Sequence, residues 1–360
     1  MIVAILRLLL VACTPATWFL VGPTFAADAP ADTVPSETYL HANQLVAIDG
    51  RRQLNLLCLG TGKPAVIFDA GAGFDIITWR HVQGKVAAFT RACAFDRAGY
   101  GFSDASSRAA DARNAVDDLH RLLHAAPIEV PIVYVGHSAG GLYGTYLQKV
   151  HPEDLAAAVL IDPAFTRLWE ELAQGLSTKE REEIANPSWA AEARACQKLA
   201  QKGALVIPST EQQKECVFPS WYPERVDEVL HKEISRRLSD PKVQSARVLE
   251  LASVLPSKGL LSQDDLELAT PVSFGDKPLI VLTHGRWYDG ADSTSPGKQA
   301  RALAAWAAGH DALAATSRHG RHLVMPNAGH FIQTDAPQAV VDAVKEVVEQ
   351  MRADMGQHSR

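Results

Sequence analysis

The sequence predicts an α/β fold with a mainly parallel sheet covered by helices on both faces. Three observations lead to this prediction. From about residue 44 onward, short apolar runs typical of strands alternate with helical stripes. The later strand-like runs are apolar at every position, as expected for parallel strands that are buried on both sides. Asp49-Gly50 separates the first two runs, which indicates a hairpin and hence antiparallel pairing at one edge.

Five strands and one helix are predicted in the first 140 residues. Each strand-like run is apolar and β-branched or aromatic in part, and turns that contain glycine or proline separate several of them. A helix is predicted from Ala115 to His124, where residues 115, 116, 119, 122 and 123 are apolar at helical spacing. The five predicted strands are Leu45–Ile48, Leu54–Leu59, Val66–Asp69, Ala92–Asp96 and Ile132–Val135.

Two helices and three strands complete the predicted core. Leu142 to Val150 is predicted to be helical and to end near Pro152, since proline cannot continue a helix. The last helix is predicted to open around Asp335 and Pro337, with valines at 340, 341, 344, 347 and 348 on its inner face. The three predicted strands are Ala157–Ile161, Leu279–Leu282 and His322–Met325, which makes eight in total.

The alternation of strands and helices breaks between Asp162 and Gly275. This stretch is charged and helix-rich, and it is too long for an ordinary connection between two core strands. We interpret it as a helical cap or lid inserted after the sixth strand. The predicted organisation is a core of residues 27–162 and 276–360, with the cap at 163–275.

The first 26 residues are predicted to be a signal peptide. Arg7 precedes an apolar run, and small residues at Thr24 and Ala26 flank Phe25 as in a cleavage site. We therefore expect export, to a periplasm or to the medium. Two alternatives remain open: an uncleaved membrane anchor, and a lipoprotein box at 10–13 in which Cys13 is lipidated and holds the protein at a membrane.

Net charge and cysteine content limit which partners and which cysteine chemistry we expect. A formal net charge of −6 gives no electrostatic reason to expect nucleic acid, so we expect a small-molecule substrate, with the oligomeric state left open. The five cysteines form no metal-binding pattern. In an oxidising compartment Cys196 and Cys216 could form a disulfide. Cys58 and Cys93, inside strand-like runs, are expected to be buried thiols.

The pattern G-x-S-x-G occurs where a predicted strand meets a predicted helix. Ser138 lies between Gly136 and Gly140, which are small enough for the strained turn that exposes a nucleophilic hydroxyl. The backbone N–H of Ala139, at the start of the helix, is then available to bind an oxyanion. Ser138 is therefore the candidate nucleophile.

His330 is the candidate general base. It follows the last predicted strand and so lies at the carboxyl edge of the sheet, where Ser138 also lies. His137 is expected to pack behind the turn. We expect the side chains of His310, His319 and His322 to lie on the solvent-exposed surface.

Four segments together resemble the α/β-hydrolase superfamily, in particular proline iminopeptidases and small esterases with a cap. The resemblance runs from about Gln44 to Met351, apart from the cap. By alignment, it implies that Ala72 supplies a second oxyanion N–H beside Ala139, although Ala70 replaces the usual histidine of that loop. The four segments are residues 69–73, residues 95–104, the turn at Ser138, and Ala328-Gly329-His330.

The resemblance leaves two positions for the acid of a catalytic triad. The family usually carries it after the penultimate core strand, where this chain has Asp289 and Asp292 slightly late. Some members carry it after the strand that follows the Ser-bearing turn, where this chain has Asp162. Asp162 is favoured and Asp289 is the alternative; either has to orient the imidazole and stabilise its charged form.

The expected function is that of a serine hydrolase that cleaves a small carboxylic ester through an acyl-enzyme. Neither an organic cofactor nor a metal is expected. A serine rather than an aspartate nucleophile disfavours the dehalogenase and epoxide hydrolase chemistries of the superfamily. The alternatives are an aminopeptidase or amidase, a hydrolase of carbon–carbon bonds, and a catalytically silent binding relative.

Overall fold

A computed structural model describes residues 33–185, 187–219, 222–223, 226–286 and 296–358. The predicted signal peptide, the lipoprotein box at Cys13 and the alternative acid Asp289 lie outside these residues. The described part of the chain contains ten strands: β1 (Gln44–Ala47), β2 (Gln53–Leu59), β3 (Val66–Asp69), β4 (Ala92–Phe95), β5 (Ile132–His137), β6 (Leu155–Ile161), β7 (Pro256–Lys258), β8 (Leu261–Ser262), β9 (Leu279–His284) and β10 (Gly320–Met325).

Eight of these strands form one sheet in the order β1-β2-β4-β3-β5-β6-β9-β10. Strands from β4 onward in this order pair parallel, whereas β2 is antiparallel to both β1 and β4. The predicted eight-stranded, mostly parallel sheet is confirmed, including its antiparallel edge. Each predicted strand overlaps an observed one, and no boundary differs by more than two residues: β6 and β10 begin two residues earlier than predicted, and β5 and β9 end two residues later.

Both faces of this sheet are buried, which explains why the strands are apolar at every position. Along β5, Val133 and Val135 pack into the core on one face, whereas Ile132 and Tyr134 pack into the core on the other. The helices are α1 (Gln83–Ala87), α2 (Ala112–Ala125), α3 (Ala139–Val150), α4 (Leu168–Leu172), α5 (Thr178–Ala185), α6 (Ser188–Gln201), α7 (Glu211–Val217), α8 (Glu228–Ser239), α9 (Pro241–Val254), α10 (Gln263–Glu267), α11 (Pro296–Ala314), α12 (Ile332–Asp335) and α13 (Pro337–His358).

Residues 163–275, here called the insertion, contain α4 to α10 and the hairpin of β7 and β8 within their described part. A buried arginine links the insertion to the segment that follows β3. Arg237 of α8 is 3% exposed and donates to Asp75 Oδ2 over 2.6 Å. The same guanidinium donates to Glu233 Oε1 over 2.8 Å. The segment after β6 is thus helical, as predicted; its role as a cap stays a prediction.

Two disulfides are present in the described residues. Cys196 and Cys216 join α6 to α7, as the sequence suggested. Cys58 and Cys93 also form a disulfide, so the expectation of two buried thiols is wrong. The reason is register: β2 and β4 are antiparallel neighbours, and Cys58 lies directly opposite Cys93. Among the helices of the described ranges, none is both long enough and apolar enough to cross a membrane.

Candidate active site

Ser138 occupies a strained turn between β5 and α3. Its backbone has φ 53° and ψ −118°, a conformation that L-residues rarely adopt. The flanking glycines permit the turn because the backbone passes very close to them. A Cβ on Gly136 would lie 2.4 Å from the Gly140 carbonyl oxygen, and one on Gly140 would lie 2.5 Å from that of Asp69. The predicted exposed-serine turn is therefore present in the structure.

His330 lies on the loop between β10 and α12, within reach of Ser138. Its Nε2 is 3.0 Å from Ser138 Oγ, so the hydroxyl can donate to the imidazole. Its Nδ1 is 2.5 Å from Asp162 Oδ2, and an N–H there donates to the carboxylate. The structure thus brings together Ser138, His330 and Asp162, which the sequence placed at one edge of the sheet.

Asp162 follows β6 directly and is completely buried. Its backbone is also left-handed, with φ 44°, and its N–H donates to the Leu282 carbonyl over 2.7 Å. Burial alone would raise the pKa of the carboxyl group. Hydrogen bonds from His284 and His330 outweigh burial and hold this pKa well below its usual range. The lowered pKa favours the ionised form of Asp162, which is the form that an orienting acid needs.

The loop after β3 lies against Ser138. A Cβ on Gly71 would be 3.2 Å from Ser138 Cβ and 2.8 Å from His137 Nδ1, so only glycine fits without a shift. Ala72 follows it and is half-buried, while Ala139 is buried as the first residue of α3. The two predicted oxyanion donors thus flank the nucleophile from the loop and from the helix; their role in binding an oxyanion stays a prediction.

A family model for the alpha/beta hydrolase family matches residues 66–343, more than half of the chain. The chain belongs to the alpha/beta hydrolase family. This confirms the superfamily that the four sequence segments indicated.

Two solved structures with a similar fold align with most of this chain. A loop variant of a haloalkane dehalogenase from Bradyrhizobium elkanii is 16% identical, with 88% of this chain and 98% of that chain covered and a TM-score of 0.61. An esterase from Thermogutta terrifontis is 18% identical, with 86% and 98% covered and a TM-score of 0.52. At such identities the likeness shows the fold alone.

Sequence similarity to curated proteins is more local. The uncharacterized protein YqjL of Bacillus subtilis (strain 168) is 30% identical over 119 residues, which cover 31% of this chain and 47% of YqjL. The chain therefore spans about half the length of this relative.

His284 was not singled out from the sequence, yet its imidazole is the second one, besides that of His330, that contacts the Asp162 carboxylate. It ends β9 and is 5% exposed. Its Nδ1 lies 2.7 Å from both carboxylate oxygens of Asp162, and its backbone N–H donates to Oδ1 over 3.1 Å. A histidine at the carboxyl end of a core strand was the available signal.

Arg97 and Glu250 support the loop that carries Gly71. The buried Arg97 guanidinium donates to the carbonyl oxygens of Ala70 over 2.6 Å and of Gly71 over 2.8 Å, and it also contacts Asp69. It donates through Nε to Glu250 Oε1 over 2.9 Å. Burial opposes its charge, but Glu250 and Asp69 keep the pKa of Arg97 well above its ordinary value.

Glu250 belongs to α9 of the insertion, so the insertion takes part in shaping this loop. Its Oε2 accepts from the Gly73 N–H over 2.8 Å and from the Tyr100 hydroxyl over 2.6 Å. Glu250 is 2% exposed. Sequence reasoning missed it because nothing near residue 250 indicates a partner 150 to 177 positions earlier in the chain.

The other histidines divide between expected and unexpected positions. His137 packs behind the turn as predicted, and its Nε2–H donates to the His330 carbonyl over 3.0 Å. Burial lowers the pKa of His137 to about 3. His310 is fully buried, so the expectation of solvated surface is wrong for it. The reason is that α11 packs its inner face on β9, where His310 meets Thr283 and the Pro163 carbonyl.

His322 also departs from that expectation, since its side chain is only 10% exposed and lies 2.6 Å from Thr283 Oγ1. His319 is exposed, as expected. The buried His310 has its pKa lowered to about 4 by burial, so it stays neutral beside the acid of the candidate site.

Proposed function

We propose that this alpha/beta hydrolase cleaves small carboxylic esters by acyl transfer through Ser138. The observation that carries the proposal is the continuous hydrogen-bonded chain from the serine hydroxyl through His330 to a buried, ionised carboxylate. A serine hydroxyl needs such a base in order to attack a carbonyl carbon at neutral pH.

Acylation begins when His330 Nε2 takes the proton of Ser138 as Oγ bonds to the carbonyl carbon. The carbonyl π electrons move to the oxygen, which gives a tetrahedral oxyanion. When this electron pair returns, the bond to the alkoxy group breaks. His330 gives its proton to the alkoxy group, which leaves as an alcohol. In deacylation His330 takes a proton from water, whose oxygen attacks the acyl carbon. Ser138 then regains a proton and a carboxylic acid is released.

Ala72 and Ala139 are the proposed donors to the oxyanion in both steps. The N–H of Ala72 belongs to the loop that packs against Ser138, and that of Ala139 lies at the positive end of α3. Arg97 and Glu250 fix the first of these segments, so they act as positioning residues.

The surroundings of His330 favour an uncharged substrate. The ring of Phe331 lies 5.4 Å from the imidazole centroid and that of Trp306 lies 6.0 Å away. Phe74 meets Phe331 edge-on at 5.0 Å. Aromatic walls of this kind suit an apolar acyl or alcohol group, which supports an ester over a charged peptide.

The test is a rate profile over p-nitrophenyl esters of increasing acyl length, with aminoacyl amides and a vinylogous diketone alongside. We expect ester turnover that Ser138→Ala reduces by about four to six orders of magnitude. Ser188→Ala, an exposed serine at the start of α6, is the matched control and keeps wild-type rates. Preferred turnover of the amides or of the diketone would instead favour the amidase or the carbon–carbon hydrolase, and full activity in Ser138→Ala would exclude the triad.

We also propose that the enzyme is exported. Two disulfides support this, because such bonds persist in oxidising compartments and are rare in the cytosol. Fractionation of cells that express the full chain tests it, with intact mass of the exported form. We expect the form in the envelope or medium to lack residues 1–26 and to carry four cysteines without free thiols. An intact chain in the cytosol with free thiols contradicts the proposal.

A further inference from the structure

A second group of histidines lies far from Ser138, at the opposite end of α3. His120 and His124 are one helical turn apart on the same face of α2, in its last two turns. His151 is the residue that caps the C-terminus of α3, and Asp154 lies three residues later in a short 3₁₀ helix. These four side chains are here called the His–Asp cluster.

The cluster is compact and centred on a buried carboxylate. Asp154 has no exposed surface; its Oδ2 is 2.6 Å from His120 Nδ1 and its Oδ1 is 2.9 Å from His124 Nε2. The rings of His120 and His151 stack at 3.8 Å with an interplanar angle of 9°. One donor atom from each of His120, His151 and Asp154 lies within 4.8 Å of the other two.

This donor set matches what divalent transition metals bind. Two imidazole nitrogens and one carboxylate oxygen form a set seen in zinc sites, which leaves the fourth tetrahedral position to water. With bonds of about 2.0–2.1 Å, tetrahedral Zn²⁺ separates its ligand atoms by about 3.3 Å. The His120 and His151 rings are stacked nearly parallel, so binding one ion requires these imidazoles, which are 27–29% exposed, to rotate out of the stack until their nitrogens converge.

Two further features favour a cation at this place. Helices α2 and α3 both end at this cluster, and the carbonyl groups at a helix C-terminus carry partial negative charge. His124 contacts the carboxylate oxygen that His120 does not. It therefore orients Asp154 in the way that outer partners orient metal ligands.

We propose that His120, His151 and Asp154 bind one divalent transition-metal ion such as Zn²⁺, with His124 orienting the carboxylate. The ion ties the end of α2 to the connection between α3 and β6. It is separate from hydrolysis, because Ser138 and His151 flank the twelve residues of α3 and so lie about 20 Å apart along the helix.

The test uses the full chain without a polyhistidine tag, stripped with EDTA, dialysed and titrated calorimetrically with ZnCl₂. We expect one equivalent to bind, a higher melting temperature with Zn²⁺, and visible d–d bands when Co²⁺ replaces it. His120→Gln and His151→Gln are expected to abolish the one-to-one isotherm. His124→Gln is expected to weaken it by roughly tenfold.

His319→Gln is the matched control, since this exposed histidine lies outside the cluster. It should bind Zn²⁺ like the wild type. Because His120 and His151 are partly exposed, their variants are expected to fold, which circular dichroism of the metal-free proteins checks. Failure of the wild type to bind one equivalent overturns the proposal. So does unchanged binding in both folded variants, which would place the ion elsewhere, for example at Asp162 with His284 and His330.

Discussion

The two ends of α3 carry similar residues in different surroundings. At the N-terminal end, Asp162 accepts hydrogen bonds from His284 and His330; at the C-terminal end, Asp154 contacts His120 and His124. Both carboxylates are completely buried. The imidazoles differ: the side chains of His284 and His330 are 4% and 14% exposed, against 29% and 48% for His120 and His124.

The difference shows that residue types alone do not decide the chemistry of such a group. At the N-terminal end a strained turn presents Ser138 Oγ to a nearly dry imidazole, so a proton can move along a fixed path. At the C-terminal end the imidazoles reach solvent, from which a hydrated ion can arrive and exchange water for nitrogen. On the two proposals made above, solvent access and a neighbouring hydroxyl distinguish the proton relay from the metal site.

The largest expected effect that distinguishes the two ends is that of Asp162→Asn. The substitution removes the charge that stabilises imidazolium and the acceptor that fixes the His330 tautomer, so we expect kcat to fall about 10⁴-fold. Ester hydrolysis measured with saturating substrate checks this. Asp276→Asn, an exposed carboxylate paired with Arg318, is the control and should keep the wild-type kcat. Wild-type turnover in Asp162→Asn would move the acid to another residue, with Asp289 the first to test.

The buried His310, near the N-terminal end of α3, predicts that the free energy of unfolding depends on pH. The folded-state pKa of His310 is about 4, because burial disfavours the imidazolium, against about 6.5 in the unfolded chain. Between these values the unfolded chain binds more protons, so stability present above pH 6.5 is lost as the pH falls toward 4. The full shift corresponds to about 3 kcal/mol of unfolding free energy.

Urea unfolding at several pH values between 7 and 4.5 measures this loss. His310→Gln cannot titrate and should show a shallower dependence on pH, although His137 still contributes in the same direction. His319→Gln, an exposed histidine, should keep the wild-type dependence. Identical slopes in wild type and His310→Gln would show that His310 is not held neutral by burial.

A smaller effect is expected from Glu250→Gln, which probes how the insertion supports the loop of Gly71 and Ala72, the proposed oxyanion loop. The amide fills the same space but no longer neutralises Arg97, so the carbonyls of Ala70 and Gly71 lose their fixed positions. We expect kcat to fall roughly tenfold to a hundredfold while KM changes little, since misplacement of about 1 Å has effects of this size.

Glu228→Gln is the matched control on the same insertion, because Glu228 is exposed and forms a surface ion pair with Lys232. It should leave both constants unchanged. A rise in KM with an unaltered kcat in Glu250→Gln would place Glu250 in substrate binding instead of loop positioning.

The sequence predicted what is encoded locally. All eight strands of the sheet were identified from continuous apolar runs, since burial on both faces leaves that signature in each strand separately. Ser138 and His330 were identified because each lies in a short motif beside a strand end. Asp162 was favoured for the same reason, and the structure places it against His330.

Features that depend on distant pairing were missed. The Cys58–Cys93 disulfide follows from the register of β2 against β4, which neither strand encodes alone. Glu250 contacts the loop after β3 only because α9 packs against that loop. The burial of His310 likewise depends on which face of α11 packs against β9. In each case the partner lies tens of residues away or more, and local patterning carries no signal of it.

Labelling with a fluorophosphonate tests most directly whether Ser138 is an activated nucleophile. The reagent forms a stable bond only to a serine that a base has activated within an oxyanion site. Intact mass followed by peptide mapping should reveal one adduct, on Ser138. His330→Gln should slow adduct formation by several orders of magnitude, because the serine then lacks its base. Absence of an adduct on the folded protein, or an adduct on another residue, would contradict the account.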